Sequence, residues 1–214
     1  MTPLESVNPF AAMLGEQWSA VSPLVRRHFL QNGGRLRYRG VMTRVWRREG
    51  WRGALAAPFL ALGSLTQTLF AATGRNVPFV VENCVSRRGD GRMTMTWRRR
   101  FDFPRRPFIF DAEMHYDPAR RLLIDRLGST RHLEVELSAT VRDGGVDIQS
   151  HRQWLRLGRL RLGVPRWIAG RARVREWQRS DGMLAIRVVV DNPILGEFFG
   201  YEGTFGPLPM SEEL

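Results

Sequence analysis

The stretch "WRGALAAPFLALGSLTQTLFAATG", residues 51–74, decides how the rest of the chain is read. No charge occurs between Arg52 and Arg75. Leu55, Phe59, Leu62, Leu65, Thr66, Leu69 and Phe70 recur on one helical stripe. The length approaches the roughly 20 residues of a membrane span. Pro58, Gly63, Ser64, Thr66, Gln67 and Thr68 dilute it. The stretch therefore predicts a buried or cavity-covering helix. An interfacial membrane helix is the second reading, and a true span is disfavoured.

Around this segment the pattern changes period. Upstream, Asn8 is a candidate N-cap and Pro9 suits a first helical turn. Phe10, Met13, Leu14, Trp18 and Val21 follow at helical spacing, and a second short helix continues after Ser22-Pro23. "RLRYRGVMTRVW" (35–46) alternates as a strand. Downstream of Asn76 the chain is mostly strand. "GDG" (89–91), "DPAR" (117–120), "RDGG" (142–145) and "SDG" (180–182) separate alternating runs as turns. "HLEVELSATV" (132–141) alternates without a break.

Strands with no helices between them form an antiparallel meander. A long sheet with one apolar face must close into a barrel or pack a helix on that face. With the uncharged segment as the natural cover, the expected fold class is α+β. It is a strongly curved antiparallel sheet, open or half barrel, wrapped around a long helix. The chain reads as a single domain over 1–214. N-terminal helices lie at about 9–30, the covering helix at about 51–73, and sheet at 35–46 and 77–205. Such a shape leaves room for a ligand where sheet and helix do not touch.

The net charge is +12, and all 33 basic residues are arginine. Without lysine, Schiff-base chemistry and a P-loop lysine are excluded. A basic balance points to nucleic acid, an anionic membrane surface or an acidic partner. The arginines are spread along the chain, which favours solvated strand faces. The single cysteine, Cys84, excludes an intramolecular disulfide and a cysteine-rich zinc site. It reads as a buried inert thiol and fits a cytoplasmic setting. "MTPLESVNPF" lacks a basic stretch followed by an apolar run, so no signal peptide is expected.

No GxSxG, HExxH or GxGxxG occurs. No metal and no cofactor is expected. His28, His115, His132 and His151 have no metal-ligand spacing and read as surface histidines. Ser150 and His151 are adjacent, so they face opposite sides of a strand and form no nucleophile–base pair. Asp125, Asp143, Asp147, Glu134 and Glu136 read as a solvated sheet face.

Four charges do share the apolar face. Arg44 sits between Met42 and Trp46, Arg99 between Trp97 and Phe101, Arg152 between Ser150 and Trp154, and Glu176 beside Val174. A buried guanidinium costs several kcal/mol unless paired. Three accounts are open. The arginines pair internally with Glu176, Glu197, Glu202 or Asp111. Or they grip an anionic ligand head. Or a β-bulge flips the register and turns them to solvent.

Several stretches taken in order resemble the bacterial domain-of-unknown-function 4166 family. They are "GVMTRVWR" (40–47), "NVPFVVEN" (76–83), "MTWRRRFDF" (95–103), "LEVEL" (133–137), "DGGVDIQS" (143–150), "VPRWIAGRARVREW" (164–177) and "NPILGEFFGYEGTF" (192–205). The resemblance implies a mostly antiparallel domain, found alone or fused to others, with no established activity and no catalytic residue to carry over. In that family arginine often follows the closing tyrosine, where this chain has Glu202.

The first functional reading is binding of a hydrophobic or amphiphilic, anionic small molecule or lipid between sheet and helix. Arg44, Arg99, Arg152, Glu176 and Tyr201 would hold it, with Trp97 and Trp154 as walls. An enzyme or accessory domain using the same cavity is the second reading. The third is a membrane-surface or protein-interaction module in peripheral contact with anionic lipid. Nucleic acid is disfavoured, because no binding module is recognisable.

Overall fold

The structure, a computed structural model, describes residues 8–29, 35–66 and 68–208. Three short helical pieces open the chain: α1 (Pro9–Leu14), a 3-10 turn (Gly15–Ala20) and α2 (Pro23–Phe29). Strand β1 (Arg35–Arg47) leads to helix α3 (Gly50–Thr66). The remaining strands follow in unbroken succession. They are β2 (Gly74–Arg87), β3 (Met93–Asp102), β4 (Pro107–Asp117), β5 (Leu122–Leu127), β6 (Leu133–Arg142), β7 (Gly145–Leu157), β8 (Leu160–Gly163), β9 (Arg171–Gln178), β10 (Leu184–Asn192) and β11 (Gly196–Pro207).

The expected half barrel is overturned, because the sheet closes on itself. The order β6-β5-β4-β3-β2-β1-β11-β10-β9-β7 is completed by pairing of β6 with β7, which makes a ring of ten antiparallel strands. Leu133 faces Leu155 and Ala139 faces Ile148 across that seam. Strand β8 pairs with β7 alone and extends the β7–β8 hairpin beyond the wall. Closure satisfies the edge groups that a half barrel would leave bare, so no long helix is needed to protect them. The turns read from sequence join these strands. In the β6–β7 turn Asp143 and Gly144 both take positive φ (51° and 72°), the geometry that a two-residue hairpin favours.

One end of the interior is filled from the N-terminus, and of the described residues in 51–73 Ala56, Leu60 and Phe70 join the core. Asn8 caps α1: its Oδ1 accepts from the amides of Phe10 (2.7 Å) and Ala11 (2.9 Å). Its Nδ2 donates to the Phe29 carbonyl at 2.7 Å, tying α1 to α2. This pins Phe10 and Phe29 against Trp97 inside one barrel end, with ring centroids 5.6 and 5.5 Å from the indole. The Ser22 amide donates to Gly144 at 2.8 Å and fixes the plug to the β6–β7 turn.

Helix α3 lies at the opposite end. Its Ala56 and Leu60 are buried, Trp51 is 67% and Leu55 52% exposed, and Leu55 and Gly63 face the interior space, so its described residues border this end of the barrel. The side chains of Phe59, Leu62, Leu65 and Thr66 lie outside the described residues. The loop after the helix does reach inward: Phe70 is buried among Phe101, Phe108 and Phe199, with centroids 4.8, 5.4 and 5.0 Å away. No helix among the described residues is long and apolar enough to cross a membrane.

Candidate functional site

Plugging one end and leaving the other to α3 and loops creates a cavity of about 580 Å³ inside the barrel. That lies within the roughly 300–1,000 Å³ of small-molecule sites. Its walls are apolar, with Phe101, Met114, Leu137, Ile148, Val188 and Phe199 among them. At the mouth β7 and β9 part: they pair only from Val146 to Gln149 against Glu176 to Arg173. The gap is bridged by side chains. Ser150 Oγ accepts from the Ala172 amide at 2.7 Å, Gln153 Nε2 donates to the Gly170 carbonyl, and the Val164 amide donates to the Gln153 carbonyl at 2.8 Å. Residues 164–170 thereby form one lip.

A charged group stands at the inner end. Arg99, on β3 between Trp97 and Phe101, points inward and is only 6% exposed. Its guanidinium carbon lies 4.4 Å from the Trp97 ring centroid and 5.6 Å from that of Phe110. Stacking of this kind offsets part of the cost of burying a cation. Its nearest carboxylate is Glu176 of β9, with Nη2 to Oε1 3.6 Å. Glu176 also faces His28 of the plug, Oε2 to Nε2 3.5 Å. Burial, and then Arg99, push His28 down to about 3. The imidazole is therefore neutral and this contact is not an ion pair.

Burial pushes Glu176 up to about 7, against the pull of Arg99. Neither of its oxygens has a hydrogen-bond partner among the described residues. Asp125 of β5 also lines the cavity. Burial raises it to about 7 although Arg99 and Arg131 oppose the shift, and its Oδ1 has no hydrogen-bond partner among the described residues. The Tyr201 phenol of β11, also lining the cavity, is raised by burial and held back by Arg99 beside it. One cation thus stands among two carboxyls that are half ionised near neutrality.

The structure separates the residues read from sequence. Trp97, Arg99 and Tyr201 line the cavity, and Glu176 lies beneath them as the partner of Arg99. Arg44 and Arg152 turn outward, and both do so at bulges. On β1 the register skips from Val41 to Arg44 against Thr204 and Glu202, leaving Thr43 and Arg44 both exposed. On β7 it skips between the partners of Val135 and Leu137, so Ser150 and Gln153 face in while His151 and Arg152 face out. Trp154 is outside the lining, with the Arg161 guanidinium 3.8 Å from its ring.

Other expectations are corrected. His28 is buried in the plug, not on the surface. His132 lines the mouth, its Nδ1 2.6 Å from Thr130 Oγ1. Glu134 and Glu136 are buried under arginines: Arg126, Arg156 and Arg161 converge on Glu134 at 3.4, 2.9 and 2.8 Å, and Arg120 meets Glu136 at 3.3 Å. Asp125, assigned to a solvated face, is the acid that reaches the cavity. Its alternation with Leu123 and Leu127 was the available signal.

These features define a closed antiparallel barrel with an apolar chamber and one buried guanidinium at its inner end. The chain belongs to the domain-of-unknown-function 4166 family, whose model matches residues 21–205. It is similar to the uncharacterized protein YndH of Bacillus subtilis (strain 168), at 31% identity over 153 residues, covering 71% of this chain and 75% of that one.

Proposed function

We propose that the barrel binds a hydrophobic or amphiphilic small molecule with an anionic head, its chain in the apolar chamber and its head against Arg99. The observation that carries this reading is the pairing of a 580 Å³ apolar cavity with a guanidinium whose nearest carboxylate stands 3.6 Å away. That carboxylate is held near its protonation midpoint, so an incoming anion can replace it while Glu176 takes up a proton. A charge-assisted hydrogen bond contributes about 1.5–3 kcal/mol.

The test is displacement of 1-anilinonaphthalene-8-sulfonate by hexadecanoate and by hexadecanol. Hexadecanoate is expected to compete about tenfold better, and Arg99→Leu to erase the difference. Absence of displacement by either compound from folded protein refutes a cavity ligand. Equal competition that ignores Arg99 refutes the anionic head.

A second reading, an enzyme using the same chamber, draws support from Asp125, a cavity carboxyl raised to about 7 and suited to proton transfer near neutrality. Mass spectrometry of amphiphiles copurified with the wild type and with Asp125→Asn tests it. Conversion confined to the wild type is expected, and identical ligands in both remove that reading.

A further inference from the structure

Ten large apolar side chains stand exposed among the described residues, and nine of them lie at the mouth end; Val41 is the exception. Leu55, Leu155, Trp167, Ile168 and Ile194 line the opening itself. Trp51 lies one helical turn before Leu55, and Leu157 and Leu160 flank the tip of the β7–β8 hairpin. Four separate elements therefore present apolar tips around one aperture. They are α3, the β7–β8 hairpin, the lip at 164–170 and the β10–β11 turn with Ile194.

The first three of these elements carry unneutralised arginine. Arg159 sits in the hairpin tip and Arg166 in the lip, both exposed. Arg52 lies with its guanidinium carbon 5.0 Å from the Trp51 ring centroid. None of the three has an acidic partner among the described residues. Arg156 and Arg161 share the single carboxylate of Glu134 with Arg126. Arg171 and Arg173 share Asp191, at 2.6 and 3.2 Å. Against this excess stand Glu49 and Glu197, the latter accepting from Trp46 Nε1 at 2.8 Å. The face is apolar at its tips and cationic between them.

We propose that this rim docks on an anionic lipid bilayer, and that the chamber exchanges its amphiphile through that contact. The inference rests on the ligand-binding reading above and adds the source of the ligand. Charge complementarity selects the occupant. Tryptophan and leucine tips enter the headgroup–acyl boundary while arginines meet lipid phosphates. A second copy seated on the same face would bring arginine against arginine about a two-fold axis. The barrel does not span the bilayer, because its outer wall carries Arg37–Glu82, Arg187–Glu202 and the exposed Arg98 and Arg100, where a spanning barrel has an apolar band. Contact is confined to the rim, so the aperture opens onto lipid.

The test is flotation with vesicles of phosphatidylcholine alone and of phosphatidylcholine containing phosphatidylglycerol. Two variants lie outside the cavity lining: Arg159→Ser with Arg166→Ser, and Leu157→Ser with Leu160→Ser. Wild type is expected to float with the anionic vesicles only, and less as salt rises. Each lost arginine is expected to weaken partitioning about fivefold. Anilinonaphthalenesulfonate affinity in solution is expected to stay unchanged in both variants, which also reports that they fold. Transfer of anthroyloxystearate from vesicles to protein is expected to quicken with vesicle concentration in the wild type and to lose that dependence in the variants.

Absent flotation, or flotation indifferent to both variants, overturns the docking face while leaving the chamber reading intact. Self-association that disappears with the same substitutions, without vesicle binding, assigns the rim to a protein partner and also overturns it. Flotation by a protein that takes up no anilinonaphthalenesulfonate overturns the chamber reading, and with it the exchange.

Discussion

Replacing Glu176 with glutamine tests the electrostatics of the chamber without needing its ligand. Glu176 faces Arg99 from β3, His28 from α2, Tyr38 from β1 and Tyr201 from β11. Burial moves it from an ordinary 4.5 to about 7. An acid raised on folding binds more protons in the folded than in the unfolded state between those two values. Its contribution is full below about 4.5, declines as pH rises to about 7, and is constant above. At about 1.36 kcal/mol per pKa unit, the wild type loses about 2–3 kcal/mol between pH 5 and 8 through this group. Glu176→Gln cannot lose it.

Asp125, raised to about 7, acts in the same direction. His28, lowered to about 3, acts in the opposite one: its contribution is present above about 6.5 and lost as pH falls. Both remain in the variant, so the difference between the two proteins reports Glu176 together with its coupling to the neighbouring His28, 3.5 Å away. Urea unfolding at pH 5, 6, 7 and 8 is the assay. The midpoints of the two proteins are expected to diverge by about 1 M urea across that range, for a slope of roughly 2–3 kcal/mol/M. The wild type is the one that weakens as pH rises. Parallel curves would refute the reasoning, since they would mean that Glu176 stays ionised beside Arg99 throughout.

The same proton bears on binding. Anilinonaphthalenesulfonate keeps its charge across this range, so its affinity is expected to rise about tenfold from pH 8 to 6, as one group with a pKa of about 7 becomes protonated. Fluorescence titration should show that dependence flattened in Glu176→Gln. Gly203→Ala would press a methyl on the Val41 carbonyl and Met42 Cα of β1. It is expected to cost at least about 1–3 kcal/mol in a thermal melt, whereas Gly89→Ala, with open space around it, should change little. Asn8→Ala removes the α1 cap and the Phe29 anchor together. It is expected to cost about 1–2 kcal/mol by the same melt.

Much of the chamber was legible where alternation is unbroken. Trp97, Arg99 and Phe101 follow period two and all face inward. The two arginines that turn outward follow interruptions of the alternation that burial in the folded barrel reveals. Met42 and Val45 are buried three apart, as are Ser150 and Gln153, where strict alternation requires two. A spacing of three between inward residues is what a bulge produces, because two residues on one strand oppose one on its neighbour. Asp125 was obscured for another reason. A carboxyl between leucines reads as an error in the apolar pattern unless a buried guanidinium is known to lie near it, and Arg99 comes from a strand two places away in the sheet.

Closure was harder to read, because it depends on pairings remote in sequence. Strand β11 looks like a terminal edge, yet it lies between β1 and β10. What lets it lie there is the "GEFFGYEGTFG" run (196–206). A side chain at Gly203 would strike Val41 and Met42, the point where β1 bulges toward it. A side chain at Gly200 would strike the Trp46 ring and the Val188 carbonyl on either side. The glycines do more than permit curvature; they admit two neighbouring strands to contact distance. With β11 paired on both edges and β6 joined to β7, the ten-stranded wall has no flank to protect. The start of the 51–74 segment can then stand at the rim, where Trp51 and Leu55 are exposed beside the aperture. The glycine run that admits β11 between β1 and β10 therefore bears on which end of the molecule stays open to a ligand.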